Sequence, residues 1–241
     1  MSQKMQDLQT FLDRELFCRP SLRLLEAGCG SASYLNFGGQ VRLVGIDISE
    51  KQLARNAMLH EKIAGDIQTY EFPPDSFDAI ICWDVLEHLS RPDLALRRFA
   101  HAIKPTGLVI LKLPNILSMK GLVTKFLPHT LHVVAYRHFH GNKTAGKNDT
   151  APFKTYLRFS ISAGAIRKQG TQLGLRTAYF ATEDVADIRW LQRKRVMHFS
   201  YATLKKIVSL LSLGRIGDSE LIIVLKRCID QVDRKAVTGC K

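Results

Sequence analysis

Short apolar runs that end in an acid or a glycine recur through the first 115 residues, and this recurrence constrains the fold more than any other feature. LRLLEAG, bounded by Pro20 and Gly28, reads as a buried strand, and VRLVGIDI as a second. A third falls near Lys62–Gly65, DSFDAIICWDV is the fourth and LVILKLP the fifth. Between them, SEKQLARNAMLHEKI offers Ser49 as an N-cap and a helical pattern from Leu53 onward. RPDLALRRFAHAI is an amphipathic helix with Pro92 in its first turn, and KPTG reads as a turn. The fourth run is almost continuously apolar, as expected of a strand covered by helices on both faces. Strands alternating with helices imply a parallel sheet with right-handed crossovers.

Beyond Pro114 the rhythm breaks. Residues 115–160 carry no clean period and include HFHGNKTAGKNDTAPF, which reads as loop. A loop of that length in a compact domain points to function. ISAGAIRKQGTQLG is then helical, LRTAYFA strand-like, WLQRKRVMHFSYATLKKIVSLLSL a basic amphipathic helix or helix pair, and ELIIVLKR a closing strand. The expected organisation of the 241 residues is one domain. Its parts are an N-terminal helix (1–19), a core (20–114), an insertion (115–160), a C-terminal part of the sheet with a basic helix (161–228) and a flexible tail (229–241).

The net charge of +13 is unevenly placed. Residues 1–111 hold 12 Lys/Arg against 14 Asp/Glu, a balance of −2, so residues 112–241 carry +15. The basic half would attract anionic partners, or simply present a solvated basic face. The five cysteines are scattered without a CxxC pair, which argues against a zinc site or disulfide framework and for a reducing cytoplasm. The N-terminal stretch has no signal-peptide apolar region, and no 18 apolar residues run together to span a membrane.

In an open parallel sheet, ligands bind outside the carboxyl ends of the strands at a topological switch point. Glu26, Asp47, Asp66 and Asp84 fall at or just after the ends of the first four expected strands. A single strand-end acid is usually a turn or cap, but four on one edge form a site. The turn Gly28-Cys29-Gly30-Ser31-Ala32-Ser33 lacks the third glycine of a dinucleotide fingerprint and has an acid just before it. That acid would repel a pyrophosphate but suit an ammonium group. A ligand with both an ammonium and a ribose is S-adenosylmethionine.

LLEAGCGSASYL, LVGIDIS, AGDIQTYEFPPDSFDAIICWDVLEHL and HAIKPTGLVILKLPN resemble successive motifs of the class I S-adenosylmethionine-dependent methyltransferases. The likeness is closest to the broad group holding the ubiquinone-type O-methyltransferases and many small-molecule and sugar methyltransferases. It covers roughly residues 20–115, and ELIIVLKR resembles the family's antiparallel last strand. The resemblance implies a Rossmann-like, doubly wound α/β sheet of seven strands, mostly parallel, with the insertion after strand five. It implies that Glu26 orients the methionine end, that Gly28 and Gly30 let the backbone approach the cofactor, and that Asp47 accepts from the ribose hydroxyls, with Ile48 beside it. Asp66 would take the adenine amino group with Ile67 along the ring, and Trp83 or Asp84 would border the sulfonium. Ala32 departs from relatives that have a glycine there, and its small side chain should leave the pocket intact.

Methyl transfer needs an aligned acceptor and a base for its proton. His88, His138 and His140 are the candidate bases, the last two in the insertion, which is expected to form a lid over the acceptor. Asp84, Glu87 and His88 resemble a cluster that binds a divalent cation in some relatives, but V-L-E-H also occurs in relatives without metal, and no metal is expected here. CWDVLEH replaces the [ND]-P-P-[YF] of base-amino methyltransferases. The acceptor is expected to be a small molecule or glycan-like, methylated at oxygen, as in natural-product biosynthesis. RNA methylation and a catalytically inactive cofactor-binding partner protein are the alternatives. The basic helix could also lie on an anionic membrane surface.

Overall fold

The computed structural model describes residues 3–16, 19–31, 35, 40–118, 121, 155–184, 199–200, 203, 206 and 217–228. Seven strands form one sheet: β1 (Ser21–Ala27), β2 (Gln40–Asp47), β3 (Glu61–Ala64), β4 (Phe77–Trp83), β5 (Ile103–Pro114), β6 (Leu175–Glu183) and β7 (Glu220–Arg227). Their spatial order is β3-β2-β1-β4-β5-β7-β6. The first five are parallel, and β7 runs antiparallel between β5 and β6. The expected seven-stranded, mostly parallel Rossmann-like sheet with an antiparallel last strand is therefore present.

Alternation along the strands divides the apolar side chains between two faces. Val109, Leu111, Leu113, Leu221, Ile223 and Leu225 pack with Leu96 and Phe99 of α3 (Pro92–Ala102) and Ile166 of α4 (Ala163–Gln172). Leu108, Ile110, Ile222 and Val224 pack instead with Leu8, Leu12 and Leu16 of α1 (Gln3–Leu16). Each fully buried leucine contributes roughly 2 kcal/mol by removal from water. Among the described residues, no helix is long and apolar enough to cross a membrane.

Two expectations fail locally. The helix after β2, expected from Leu53 onward, is the single short α2 (Glu50–Arg55). Ser49 does cap it, accepting from the Gln52 N–H at 3.3 Å. Asn56 ends it: the fully buried side chain accepts from Met58 N–H at 3.1 Å, which turns the chain toward β3. The KPTG stretch also lies within β5, not in a turn before it, with Thr106 at φ +64° and a register shift opposite Phe77/Ala79. Most of the expected basic helix, the tail and most of the insertion lie outside the described residues.

Candidate active site

Parallel pairing brings the ends of β3, β2, β1 and β4 side by side. Asp47 pairs with Ala64, Ala27 with Ile46, and Glu26 with both Gly45 and Ile81. Asp66, Asp47, Glu26 and Asp84 are thereby gathered at the carboxyl ends of four neighbouring strands. β1, flanked by β2 and β4, is the switch point. A groove of about 500 Å³ lined by Arg23, Arg42, Asp78 and Lys104 opens at the opposite strand ends, remote from these acids.

The glycine turn is built by close approach. Gly28 has φ +74°, and a Cβ there would come within 2.5 Å of a Val85 methyl. Only a glycine lets the end of β1 seat against the start of the segment after β4. Gly28 and Cys29 donate to the Ile46 carbonyl at 2.8 and 3.2 Å. Gly30, at φ +51°, turns its N–H onto Asp47 Oδ2 at 2.9 Å, while Ser49 N–H reaches Oδ1 at 2.8 Å. A carboxylate has about four acceptor positions, so these two bonds fix the Asp47 plane and leave capacity outward. Ile48 beside it is 80% exposed and Ile67 is buried. Asp66 accepts from Gln68 N–H at 2.8 Å and from the Gln68 amide nitrogen at 3.0 Å on each oxygen. That amide is the same kind of donor as an exocyclic amine.

The far side of the edge is more strongly charged. Asp84 adopts φ +54°, and Lys112 Nζ holds its two oxygens at 2.7 and 2.8 Å. Burial opposes the lysine's charge, but Asp84 and Glu220 more than offset this and raise its pKa. Glu87 lies in a 3₁₀ turn, Leu86–His88, and is 4% exposed. Its Oε2 has no hydrogen-bond partner among the described residues. Burial above all, and then Asp84, push its pKa up to about 8. His88 lies 4.0 Å from Glu87 Oε1 and 3.5 Å from Thr155 Oγ1. The N–H groups of Tyr156 and Leu157 donate to the Glu87 carbonyl at 2.8 and 3.1 Å. The return from the insertion is thus fastened beside His88.

A family model for the methyltransferase domain matches residues 2–207. The chain belongs to that family. It is a class I S-adenosylmethionine-dependent methyltransferase by descent and by fold. It is 28% identical over 141 residues to the mitochondrial ubiquinone biosynthesis O-methyltransferase of Schizosaccharomyces pombe, covering 53% of this chain and 51% of that one. It is 36% identical over 105 residues to the ubiquinone biosynthesis O-methyltransferase of Dechloromonas aromatica, covering 39% and 44%. The chain spans about half the length of the curated relatives it matches. An S-adenosylmethionine-dependent methyltransferase from Mesorhizobium loti shares the fold at a TM-score of 0.55 and 16% identity, over 90% of this chain and 96% of that one.

The donor set of this methyltransferase fits the family's cofactor. A bare glycine turn, a carboxylate with outward capacity at Asp47, an exposed apolar Ile48 and an amine-accepting Asp66 succeed one another along the edge. Of the candidate residues, Glu26, Gly28, Gly30, Asp47, Ile48, Asp66, Ile67, Trp83, Asp84 and His88 are all brought to these strand ends. His138 and His140 lie outside the described residues, as do Ala32 and Ser33. Among the described residues, no group of three or more His, Cys, Asp or Glu is arranged to hold a metal ion. Sequence reasoning missed Lys112 and Gln68. A lysine interrupting LVILKLP was the available signal for the first; nothing marked the second.

Proposed function

We propose that this protein transfers a methyl group from S-adenosylmethionine to a hydroxyl of a small-molecule or glycan-like acceptor. The observation that carries the reading is the Asp47 carboxylate, oriented by the Gly30 and Ser49 N–H groups at the ends of β1 and β2. Asp47 would hold the ribose and Asp66 the adenine, while Glu26 would orient the methionine end. The cofactor supplies an already activated methyl group, so the chain's own task is to align the acceptor, exclude water and accept one proton. His88 is the described residue suited to that proton, beside the fastened Thr155–Leu157 stretch. His138 and His140 remain proposed bases in a proposed lid.

Similarity to ubiquinone biosynthesis O-methyltransferases supports oxygen as the methylated atom. The second reading, an RNA acceptor, draws on the +15 balance of residues 112–241 and on Arg167 stacked 4.1 Å over the exposed Phe180 ring. Calorimetry with S-adenosylhomocysteine tests the cofactor site. Asp47→Ala should cost roughly 3 kcal/mol of binding, since it removes charged hydrogen bonds to two hydroxyls. Unchanged affinity would sink the assignment. Methyl transfer to a panel of phenols and sugars, set against RNA oligonucleotides, separates the two acceptor classes.

A further inference from the structure

Between Leu108 and Pro114, Lys112 is the only charged residue. It pairs in register with Trp83, its ammonium lies 5.6 Å from the centre of that ring, and its carbonyl accepts from Asp84 N–H at 2.9 Å. The two side chains differ in depth: Asp84 is 44% exposed and Lys112 only 17%. The carboxylate therefore faces the open edge and the ammonium sits behind it. Glu220 Oε2 lies 3.5 Å from the same ammonium, and among the described residues Glu87 also acts on its charge, with His88 4.0 Å from Glu87 Oε1. Asp84 holds a left-handed backbone conformation that costs a non-glycine residue energy. The next residue, Val85, is the one seated against Gly28, so the pair lies beside the glycine turn.

We propose that Lys112 determines how the site discriminates the sulfonium methyl donor from its thioether product, by screening Asp84 from behind. This rests on the reading of the strand ends as an S-adenosylmethionine site. The donor carries a sulfonium charge that S-adenosylhomocysteine lacks. An unscreened Asp84 would hold the cation tightly in the ground state, and charge leaves sulfur as the methyl departs, so that attraction would work against transfer. A carboxylate backed by a fixed ammonium keeps the field at the sulfonium shallow. It also permits the product to bind almost as well as the donor.

The test needs no acceptor. Dissociation constants for S-adenosylmethionine and S-adenosylhomocysteine are measured by calorimetry for the wild type, Lys112→Met, Lys112→Arg and Asp84→Asn. The preference for the donor should rise about tenfold or more in Lys112→Met, because at an effective dielectric of about 20 a unit charge has an effect of that size even from roughly 12 Å. It should stay near wild type in Lys112→Arg, which keeps the charge, and fall in Asp84→Asn. In an Asp84→Asn background, Lys112→Met removes the ammonium left without its carboxylate and should return the ratio toward that of the wild type. If both ligands bind and the ratio is unmoved in Lys112→Met, the proposal is overturned. If the wild type binds neither ligand, it is the cofactor reading that falls. Should Lys112→Met not fold, the half-exposed Asp84→Asn decides the matter: an unchanged ratio there also overturns the proposal.

Discussion

Replacing Glu87 with Gln should change how stability depends on pH, and the structure sets both sign and size. The carboxyl is 4% exposed, one of its oxygens lacks a partner among the described residues, and its pKa is raised from 4.5 to about 8. Between those two values the folded state holds a proton that the unfolded chain has released. Wild-type stability must therefore fall as pH rises through that window and level off above it. The shift corresponds to a loss on the order of 5 kcal/mol across the window. Glutamine cannot ionise and has nearly the same shape. At pH 5 the variant should be slightly less stable than the wild type, by about 1 kcal/mol for its extra buried N–H donors. With rising pH the order should reverse, and by pH 8 the variant should be the more stable by a few kcal/mol. Urea unfolding of both proteins at pH 5, 6, 7, 8 and 9 measures this, with the other titrating groups cancelling in the difference. Parallel curves would refute the reasoning and mean that Glu87 is ionised and compensated in the folded protein.

Gly28→Ala should weaken S-adenosylhomocysteine binding at least tenfold, because the new methyl group meets Val85 and the backbone there is left-handed; Gly28→Ala with Val85→Ala should recover part of the loss. Asp78→Asn should cost about 2 kcal/mol at neutral pH in chemical unfolding, since Asp78 accepts from Lys104, Arg23 N–H and Arg19. Those donors outweigh its burial and hold its pKa below the usual carboxylate range. The contribution is present at neutral pH and disappears as pH falls through that lowered value, so wild type and variant should converge in acid. His138→Ala with His140→Ala should leave cofactor affinity within about twofold, and lower turnover roughly a hundredfold if either histidine is the base. Normal turnover would leave His88 as the proton acceptor.

The sheet was legible because strand periodicity and strand-end chemistry agreed. ELIIVLKR coincides with β7, and the acids that close LLEAG, VGID and CWD all reach the same edge. The short α2 was not legible, because the apolar residues after Leu53 continue a helical spacing. The turn there depends on the buried Asn56, a tertiary contact that local pattern does not reveal. The start of β5 was hidden for a related reason: Lys104, Pro105 and Gly107 carry turn chemistry, yet the β4 pairs on either side, Phe77 with Ile103 and Ala79 with Leu108, hold them inside the strand as an irregularity. On the charged side of the site, the sequence placed Asp84, Glu87 and His88 within one turn but did not show which would be buried. Burial separates the exposed Asp84 from the enclosed Glu87, and Lys112 comes to them from a strand 28 residues away from Asp84.

The position of β7 bears on how this chain is made. It is the last of the seven strands in sequence, yet it lies between β5 and β6, and its Lys226 ties to Glu15 on α1, 211 residues away. While synthesis proceeds, β5 therefore waits with an unpaired edge, and the apolar stripe of α1 lacks Ile222 and Val224. An open strand edge beside uncovered leucines is a template for pairing with another chain. Nascent chains stalled before residue 220 should accordingly engage chaperones or aggregate. Release of the final strand, more than completion of the cofactor edge, should mark the moment at which the protein becomes soluble and protease-resistant.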